Sequence, residues 1–463
     1  MFFRKKSPLE KHLHSLESHL QQENPVLLAV MPGFRELDQV ARRLGFFNAE
    51  ESYAKHVPWW PIVSVLGTYS SGKSTFLNDF LKYKLQATGN QAVDDKFTVI
   101  CFSKGDTTHV LPGLSLDADP RFPFYKISRE IDEVAAGEGR RIDAYLQLKT
   151  CPSEKLRGKI FIDSPGFDAD EQRTAVLRLT KYIIDLSDLV LVFFDARHPE
   201  SGTMHDTLEH LVQETIHRPD ANKFLFILNQ LDTTAREDNA EDVVASWQRA
   251  LAQKGLTAGR FYRIFSPSAA VAIEDANVRA RYESKRDTDL ADIDTRVQQV
   301  GLERAYRIVG ALEQSAKDLQ EQIVPKLRTL LQAWRTRVLW LDVVLLAMVA
   351  VLAGVGLWLG AWDTLGSLLF AGDQGPWGWG IGLVVVLFIL GYFHFSIRQR
   401  AAKQVIAKLR REMKDDEVLE NFVRAFNYNT RFYRSIFHKE PAGWDQQAPD
   451  LIKKVLSDAG SSV

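Results

Sequence analysis

The hydrophobic pattern changes character several times along the chain. Leu9, Leu13, Leu16 and Leu20 recur at spacings of three and four, which predicts an amphipathic helix near the N-terminus. Ser7-Pro8-Leu9-Glu10 ahead of it has the form of a capping box with proline at the first helical position. From residue 61 the pattern becomes short, continuous apolar runs: "PIVSVL", "GKIFID", "DLVLVFFDA", "KFLFILN" and "RFYRIF". Helical stretches such as "STFLNDFLKY" separate them. Strands of this kind, alternating with helices, predict a mostly parallel sheet with flanking helices and a ligand at the strand C-termini. Further on, Leu302, Ala305, Val309, Leu312, Ala316, Leu319, Ile323 and Leu330 return to helical spacing. They predict a long helix with one packing seam and a kink at Pro325. Val405, Ile406, Leu409, Met413, Leu419, Phe422, Val423 and Phe426 predict another, with a short helix near residues 451–456.

Between these helical regions lie two runs without polar periodicity. Residues 338–362 carry one charge, Asp342, and residues 377–397 carry none. Each exceeds the ~18 apolar residues that mark a spanning helix, so the pair predicts a two-helix transmembrane hairpin. Lys326, Arg328, Arg335 and Arg337 flank one side and Arg398, Arg400, Lys403 and Lys408 the other, whereas the connecting loop has two aspartates and no Lys or Arg. The positive-inside rule then puts both large flanks in the cytoplasm. Trp358, Trp362, Trp377, Trp379 and Tyr392 stand where interfacial anchors belong, and Gly356/Gly360 and Gly378/Gly382 are small-residue pairs suited to close packing. Two spans with a single formal charge form an anchor, not a pore.

Composition narrows the partners. Lys and Arg number 58 against 59 Asp and Glu in 463 residues, so net charge gives no support to a nucleic-acid partner. The two cysteines, Cys101 and Cys151, exclude a disulfide scaffold and read as small buried residues in a reducing compartment. "MFFRKKSPLEKH" lacks the apolar segment of a secretory signal. Its Phe2 and Phe3 beside three basic residues suit either an anionic lipid surface or a frayed terminus.

The chemistry concentrates in three loops. Gly67-x-x-x-x-Gly72-Lys73-Ser74 has Walker A spacing between a buried strand and a helix start. Its backbone N–H groups, including those of Ser71 and Thr75, can wrap phosphates at a helix N-terminus, with Lys73 reaching the β- and γ-phosphates and the Ser74 hydroxyl on Mg²⁺. A second strand ends in Asp163-Ser-Pro-Gly166, where the carboxylate can hold Mg²⁺ through water and the glycine N–H can sense the γ-phosphate. A third delivers Asn229-Gln-Leu-Asp232, whose aspartate can accept both N1–H and N2–H₂ of guanine, although Gln230 stands where a lysine is usual. Ser266 and Ser268 follow the last strand as candidates for a base-contacting loop.

"GTYSSGKSTF", "DSPGF", "LVFFDARHPESG" and "LNQLD" together resemble the dynamin superfamily, and within it the EHD membrane-remodelling ATPases. Residues 105–127 and 289–309 are similar to EHD segments, and the likeness covers roughly residues 2–331. It does not extend to the hairpin, whose topology resembles mitofusins and bacterial dynamin-like proteins. The resemblance implies that Ser70 steadies the catalytic centre. It also implies threonine in the first switch, where this chain has Val93 and Asp94; Asp94 is the candidate to replace it beside Mg²⁺, and hydrolysis should be slow. The nucleotide stays open: Asp232 favours GTP on chemistry, and the EHD resemblance favours ATP.

The expected organisation is N-terminal stalk helices over 1–56, an α/β P-loop G domain over 57–284, a stalk helix over 285–337, the hairpin over 338–397 and C-terminal stalk helices over 398–463. The expected function is a membrane-anchored triphosphatase that assembles with its own copies through G domains and stalk to remodel, tether or fuse membrane. A nucleotide-binding scaffold with little hydrolysis and an EHD-like ATPase are the alternatives. The expected location is a bacterial inner membrane, with the G domain and both termini cytoplasmic.

Overall fold

The computed structural model describes residues 7–87, 96–105, 107–122, 142–165, 173–198, 220–256, 259–359, 377–413 and 416–461. Helix α1 spans Pro8–Glu23, beginning at the predicted proline, and α2 spans Met31–Arg43. Then follow β1 (Ile62–Gly67), α3 (Lys73–Leu81), β2 (Phe97–Phe102), β3 (His109–Pro112), β4 (Leu146–Cys151), β5 (Ile160–Asp163) and α4 (Arg173–Leu186). The domain continues with β6 (Leu189–Asp195), β7 (Phe224–Asn229), α5 (Ala240–Gln253), β8 (Arg260–Arg263) and the 43-residue α6 (Ala276–Asp318). Last come α7 (Val324–Trp358), α8 (Trp377–Glu412), α9 (Asp416–Asn429) and α10 (Gln447–Ser461).

The eight strands form one sheet in the order β3-β4-β2-β5-β1-β6-β7-β8. The β5-β1-β6-β7-β8 half is parallel throughout, whereas β2 runs antiparallel to β5 and β3 antiparallel to β4. The sheet is therefore mixed, with its parallel part where the phosphate-loop sequence lies. Alternation along β6 explains the burial on both faces. Val190, Val192 and Phe194 pack with Phe224, Phe226 and Trp247 of α5, while Leu189, Leu191 and Phe193 pack with Phe76, Leu77 and, from α6, Ile293, Val297 and Val300. Strands covered on both sides read as unbroken apolar runs without alternation, which is how the sequence marks them. Edge strand β3 is exposed at every position and ends in Pro112, as an unpaired edge requires.

The chain divides into two compact units, Glu10–Ala29 with Lys55–Gly310, and Met1–Leu9 with Val30–Ala54 and Ala311–Val463. The division splits the segment 1–56 that the hydropathy pattern treats as one piece. The reason is polar as well as apolar: Glu23 of α1 accepts the indole N–H of Trp60 at 2.9 Å and pairs with Arg121 at 3.2 Å, all three buried. In the same unit, buried Asp188 accepts the Ile62 N–H at 2.9 Å and pairs with Arg304 and Arg307 of α6. The predicted seam of α6 needs one correction. Val309, Leu312, Ala316 and Leu319 are buried, but Leu302 is 67 % exposed, because the N-terminal part of the helix turns Val297, Val300 and Ile308 inward instead.

In the other unit α6 continues through a π-helical turn, Leu319–Ile323, into α7. Pro325 has no N–H for the carbonyl four residues back, and the widened turn accommodates that loss without ending the helix. Within the helical run Ala276–Gly356, one stretch is long and apolar enough to cross a membrane, by length and composition. Trp340, Val343, Leu346, Val351 and Leu352 there are all exposed. Helix α8 packs along α7, and its Val384–Phe388 segment is exposed too. Asp342 of α7 meets His394 of α8 at 2.8 Å. Among the described residues α7 alone has the length and composition of a spanning helix, and α8 packs along it.

Candidate functional site

β1 lies where the connections depart to opposite sides, to β5 on one and β6 on the other, so a crevice opens beyond its C-terminal end. The loop 68–72 fills that position, and its backbone explains its glycines. A Cβ on Gly67 would lie 2.5 Å from the carbonyl oxygen of Phe193. Gly72 has φ +83°, and a Cβ there would collide with the amide nitrogen of Asn229. Ser70 also takes a positive φ, 58°. Its carbonyl accepts Nε2 of Gln230 at 2.6 Å and the guanidinium of Arg197 at 3.3 Å, which offsets the strain. Asn229 donates to the carbonyl of Ser71 at 2.9 Å. The end of β7 therefore clamps the loop from the side.

Lys73 is buried, and its ammonium donates to the carbonyls of Gly67 and Thr68, both at 3.0 Å. Burial lowers its pKa from 10.5 to about 8, and the charge of Asp163 works in the opposite direction. Asp163 closes β5, buried, with Oδ2 accepting Nε2 of Gln86 at 2.6 Å. Gln86 in turn accepts the Lys149 ammonium at 2.6 Å. Asn78 of α3 fixes this bridge by accepting the N–H groups of Leu85 and Gln86 at 2.9 and 2.8 Å and donating to the Gln86 carbonyl at 2.9 Å. Sequence motifs miss Asn78, Gln86 and Lys149. The one available signal was a lysine inside the otherwise buried strand "LQLKTC".

At the far end of the crevice Asp232 accepts the N–H of Val271 at 2.7 Å. Burial raises its pKa, opposed by that hydrogen bond, by backbone N–H groups at its own turn and by the charge of Arg197. Arg197 is held by Asp195 through two nitrogens, at 3.0 and 2.7 Å. Ser266 bonds to Asp79 of α3 and brings the β8 loop over the crevice. Ser70, Gly72, Lys73, Ser74, Thr75, Asp163, Asn229, Asp232 and Ser268 line one cleft of ≈1030 Å³. Gly67 and Ser71 stand behind that lining; the Ser71 hydroxyl bonds to the Thr68 carbonyl at 2.8 Å. Asp94 and Gly166 lie outside the described residues. Cys101 and Cys151 are free and buried, and burial pushes the Cys101 thiol up to about 12, so neither is a nucleophile here.

The arrangement offers a cation and backbone N–H groups at one end and an anionic hydrogen-bond acceptor at the other. Ser74 and Asp163 supply hard oxygen ligands of the kind Mg²⁺ takes, and too few to fill its shell, as at sites where phosphates and water complete it. Among the described residues no cluster of three or more His, Cys, Asp or Glu gathers to hold a metal alone.

Residues 63–231 match the Dynamin family. EH domain-containing protein 3 of Rattus norvegicus is 26 % identical over 182 residues, 37 % of this chain and 31 % of that protein. EH domain-containing protein 1 of Arabidopsis thaliana is 25 % identical over 179 residues, 37 % of this chain and 30 % of that protein. The likeness thus spans about a third of these curated relatives. A solved chain of an oligomerised bacterial dynamin pair covers 93 % of this chain and 79 % of its own length at 12 % identity and a TM-score of 0.38. The family match takes in the phosphate loop, Asp163 and Asn229, and residues 63–231 are a dynamin-family domain similar to that of the EH domain-containing proteins.

Proposed function

We propose that this chain is a membrane-anchored dynamin-like triphosphatase that uses GTP in preference to ATP and acts on membrane through assemblies of its own copies. The observation that carries this reading is the Lys73 ammonium buried in a glycine-bounded loop, with Asp232 across the same cleft. In this reading Lys73 and the N–H groups of 71–75 hold the phosphates, and Ser74 and Asp163 hold Mg²⁺. The metal would neutralise charge on the β- and γ-phosphates. Ser70 and Arg197 stand beside the loop as positioning groups, and Asp94 and Gly166 complete the switches. Asp232 has one carboxylate oxygen on Val271 N–H, and a carboxylate has acceptor capacity left for the N1–H and N2–H₂ edge of guanine.

Helices α7 and α8 are the anchor, both crossing the bilayer with cytoplasmic flanks, which the Lys/Arg bias of 326–337 and 398–408 supports. The substituted switch residues Val93 and Asp94 favour a second reading, a nucleotide-bound scaffold with little turnover. One experiment separates them: the full chain is reconstituted in liposomes at rising density, with GTP and ATP hydrolysis and vesicle shape followed together. Turnover per molecule should rise with density, faster with GTP. Flat turnover and vesicles indifferent to nucleotide would reject the triphosphatase reading.

A further inference from the structure

We infer that the loop 430–439 is a lipid-contacting collar that binds the headgroup layer of an anionic bilayer at the foot of α7 and α8. The inference rests on the membrane-anchored reading above. Its scaffold is Arg398, one residue beyond the apolar run 377–397. The Arg398 guanidinium is buried and donates to three loop carbonyls, of Arg431 at 3.0 Å, Phe432 at 3.1 Å and Arg434 at 2.8 Å. It also stacks over Trp334 of α7 at 5.3 Å and Phe395 of α8 at 5.6 Å, while the Trp334 indole donates to the Arg398 carbonyl at 3.1 Å. A forked, permanently charged group can hold several carbonyls and an aromatic face at once, and a lysine cannot. The loop is thereby tied to the level where the apolar stretches of both helices end.

What this scaffold presents is unusual for a water-facing loop. Phe432, Tyr433 and Phe437 are 74 %, 61 % and 71 % exposed, while Ile436 is buried and pins the loop. The ten residues "TRFYRSIFHK" contain Arg431, Arg434 and Lys439 and no acidic residue. Arg431 and Arg434 lie over the Tyr428 ring at 4.8 and 4.7 Å, and Arg431 donates to the Tyr433 hydroxyl at 3.0 Å. Beside the loop is a cleft of ≈800 Å³ whose lining includes Lys403, Arg431, Phe432 and Tyr433. Exposed aromatics interleaved with cations, continuous with the exposed apolar face of α8, have the composition of a membrane–water interface. Guanidinium groups there pair with phosphate oxygens, and the rings replace water with acyl-chain and glycerol contacts. The positive charge commits the occupant to anionic phospholipid and disfavours a second copy of the same basic loop.

The test uses the full chain in liposomes, with single dye-labelled cysteines from Phe432→Cys, Phe437→Cys and Val386→Cys. Quenching is read with nitroxide lipids labelled near the headgroup or at mid-chain. In vesicles with a third phosphatidylglycerol, Phe432→Cys and Phe437→Cys labels should be quenched at least twofold by the headgroup nitroxide. The quenching should fall in phosphatidylcholine alone and in an Arg431→Gln/Arg434→Gln background. Val386→Cys reports on the anchor separately through the mid-chain nitroxide. A quenched Val386→Cys label with unquenched loop labels overturns the collar and leaves the anchor standing. An unquenched Val386→Cys label overturns the anchor itself. Equal quenching in both lipids removes the anionic preference, and protection that tracks protein density instead of lipid assigns the loop to a contact between copies.

Discussion

Lys73 gives the sharpest quantitative expectation, because its burial has an energy and a pH window. Its folded-state pKa is lowered from 10.5 to about 8, so between those values the native chain binds fewer protons than the unfolded chain. Stability without nucleotide therefore rises with pH from 8 to 10.5, and below pH 8 the full cost of the buried cation, roughly 3 kcal/mol, is present. Phosphate oxygens beside the ammonium would reverse the effect of burial and return the pKa toward its ordinary range. At pH 9 a pKa near 8 leaves about 0.1 proton on Lys73, and binding a triphosphate should then take up about 0.9 proton; at pH 7 the uptake falls to about 0.1. Calorimetric titration with a non-hydrolysable GTP analogue, in buffers of different ionisation enthalpy, measures this number directly. Uptake below about 0.3 proton at pH 9 would refute the placement of Lys73 against phosphate. Lys73→Met supplies the second arm. It removes the cation and, after the loss of two carbonyl hydrogen bonds at about 1 kcal/mol each, should raise nucleotide-free stability by roughly 1 kcal/mol at pH 7. That gain should vanish near pH 9 and become a loss of roughly 1.5 kcal/mol by pH 10.5 in thermal unfolding, while nucleotide binding is lost throughout.

Three further outcomes follow from other parts of the fold. Gln86→Leu removes the donor to Asp163 and the acceptor of Lys149, and should raise the Mg²⁺ concentration that half-saturates nucleotide retention about tenfold, for a loss of about 1.4 kcal/mol, with Mg²⁺-free binding unchanged; an unaltered Mg²⁺ dependence would reduce Gln86 to a packing role. Asp232→Asn reverses one of two hydrogen bonds to guanine, so GTP affinity should fall about 10- to 100-fold and xanthosine triphosphate should gain, as competition binding would report; unchanged base preference would favour an adenine mode. Asp188→Asn keeps an acceptor for Ile62 N–H but strips charge from a buried site facing Arg304 and Arg307, and should cost about 3–5 kcal/mol by thermal unfolding. A loss under about 1 kcal/mol would mean that these arginines find other partners.

Much of this protein is written in local patterns. The apolar runs of β1, β5, β6 and β7 announce strands buried on both faces, and each places its last residue, Gly67, Asp163, Asp195 or Asn229, at a C-terminal end that a parallel sheet gathers into one crevice. Walker A spacing is equally local, since φ +83° at Gly72 is a property of one residue. The same holds for Leu9 to Leu20 and for the apolar length of α7. Other features exist only once distant segments meet. Gln86 has no motif, and its role depends on β4 and β5 placing Lys149 and Asp163 on either side of it. Asn229 stands in sequence only as part of the motif that ends in Asp232, but it braces the loop because β7 sits two strands from β1. Leu302 fits the helical period, but a 43-residue helix passes several different neighbours, and which face is inward changes along it. Arg398 looks like an ordinary flanking charge until its guanidinium is found spent on three carbonyls of a loop more than thirty residues away. Periodicity records what a segment must bury, whereas the partner that covers it is decided by the packing of the whole chain.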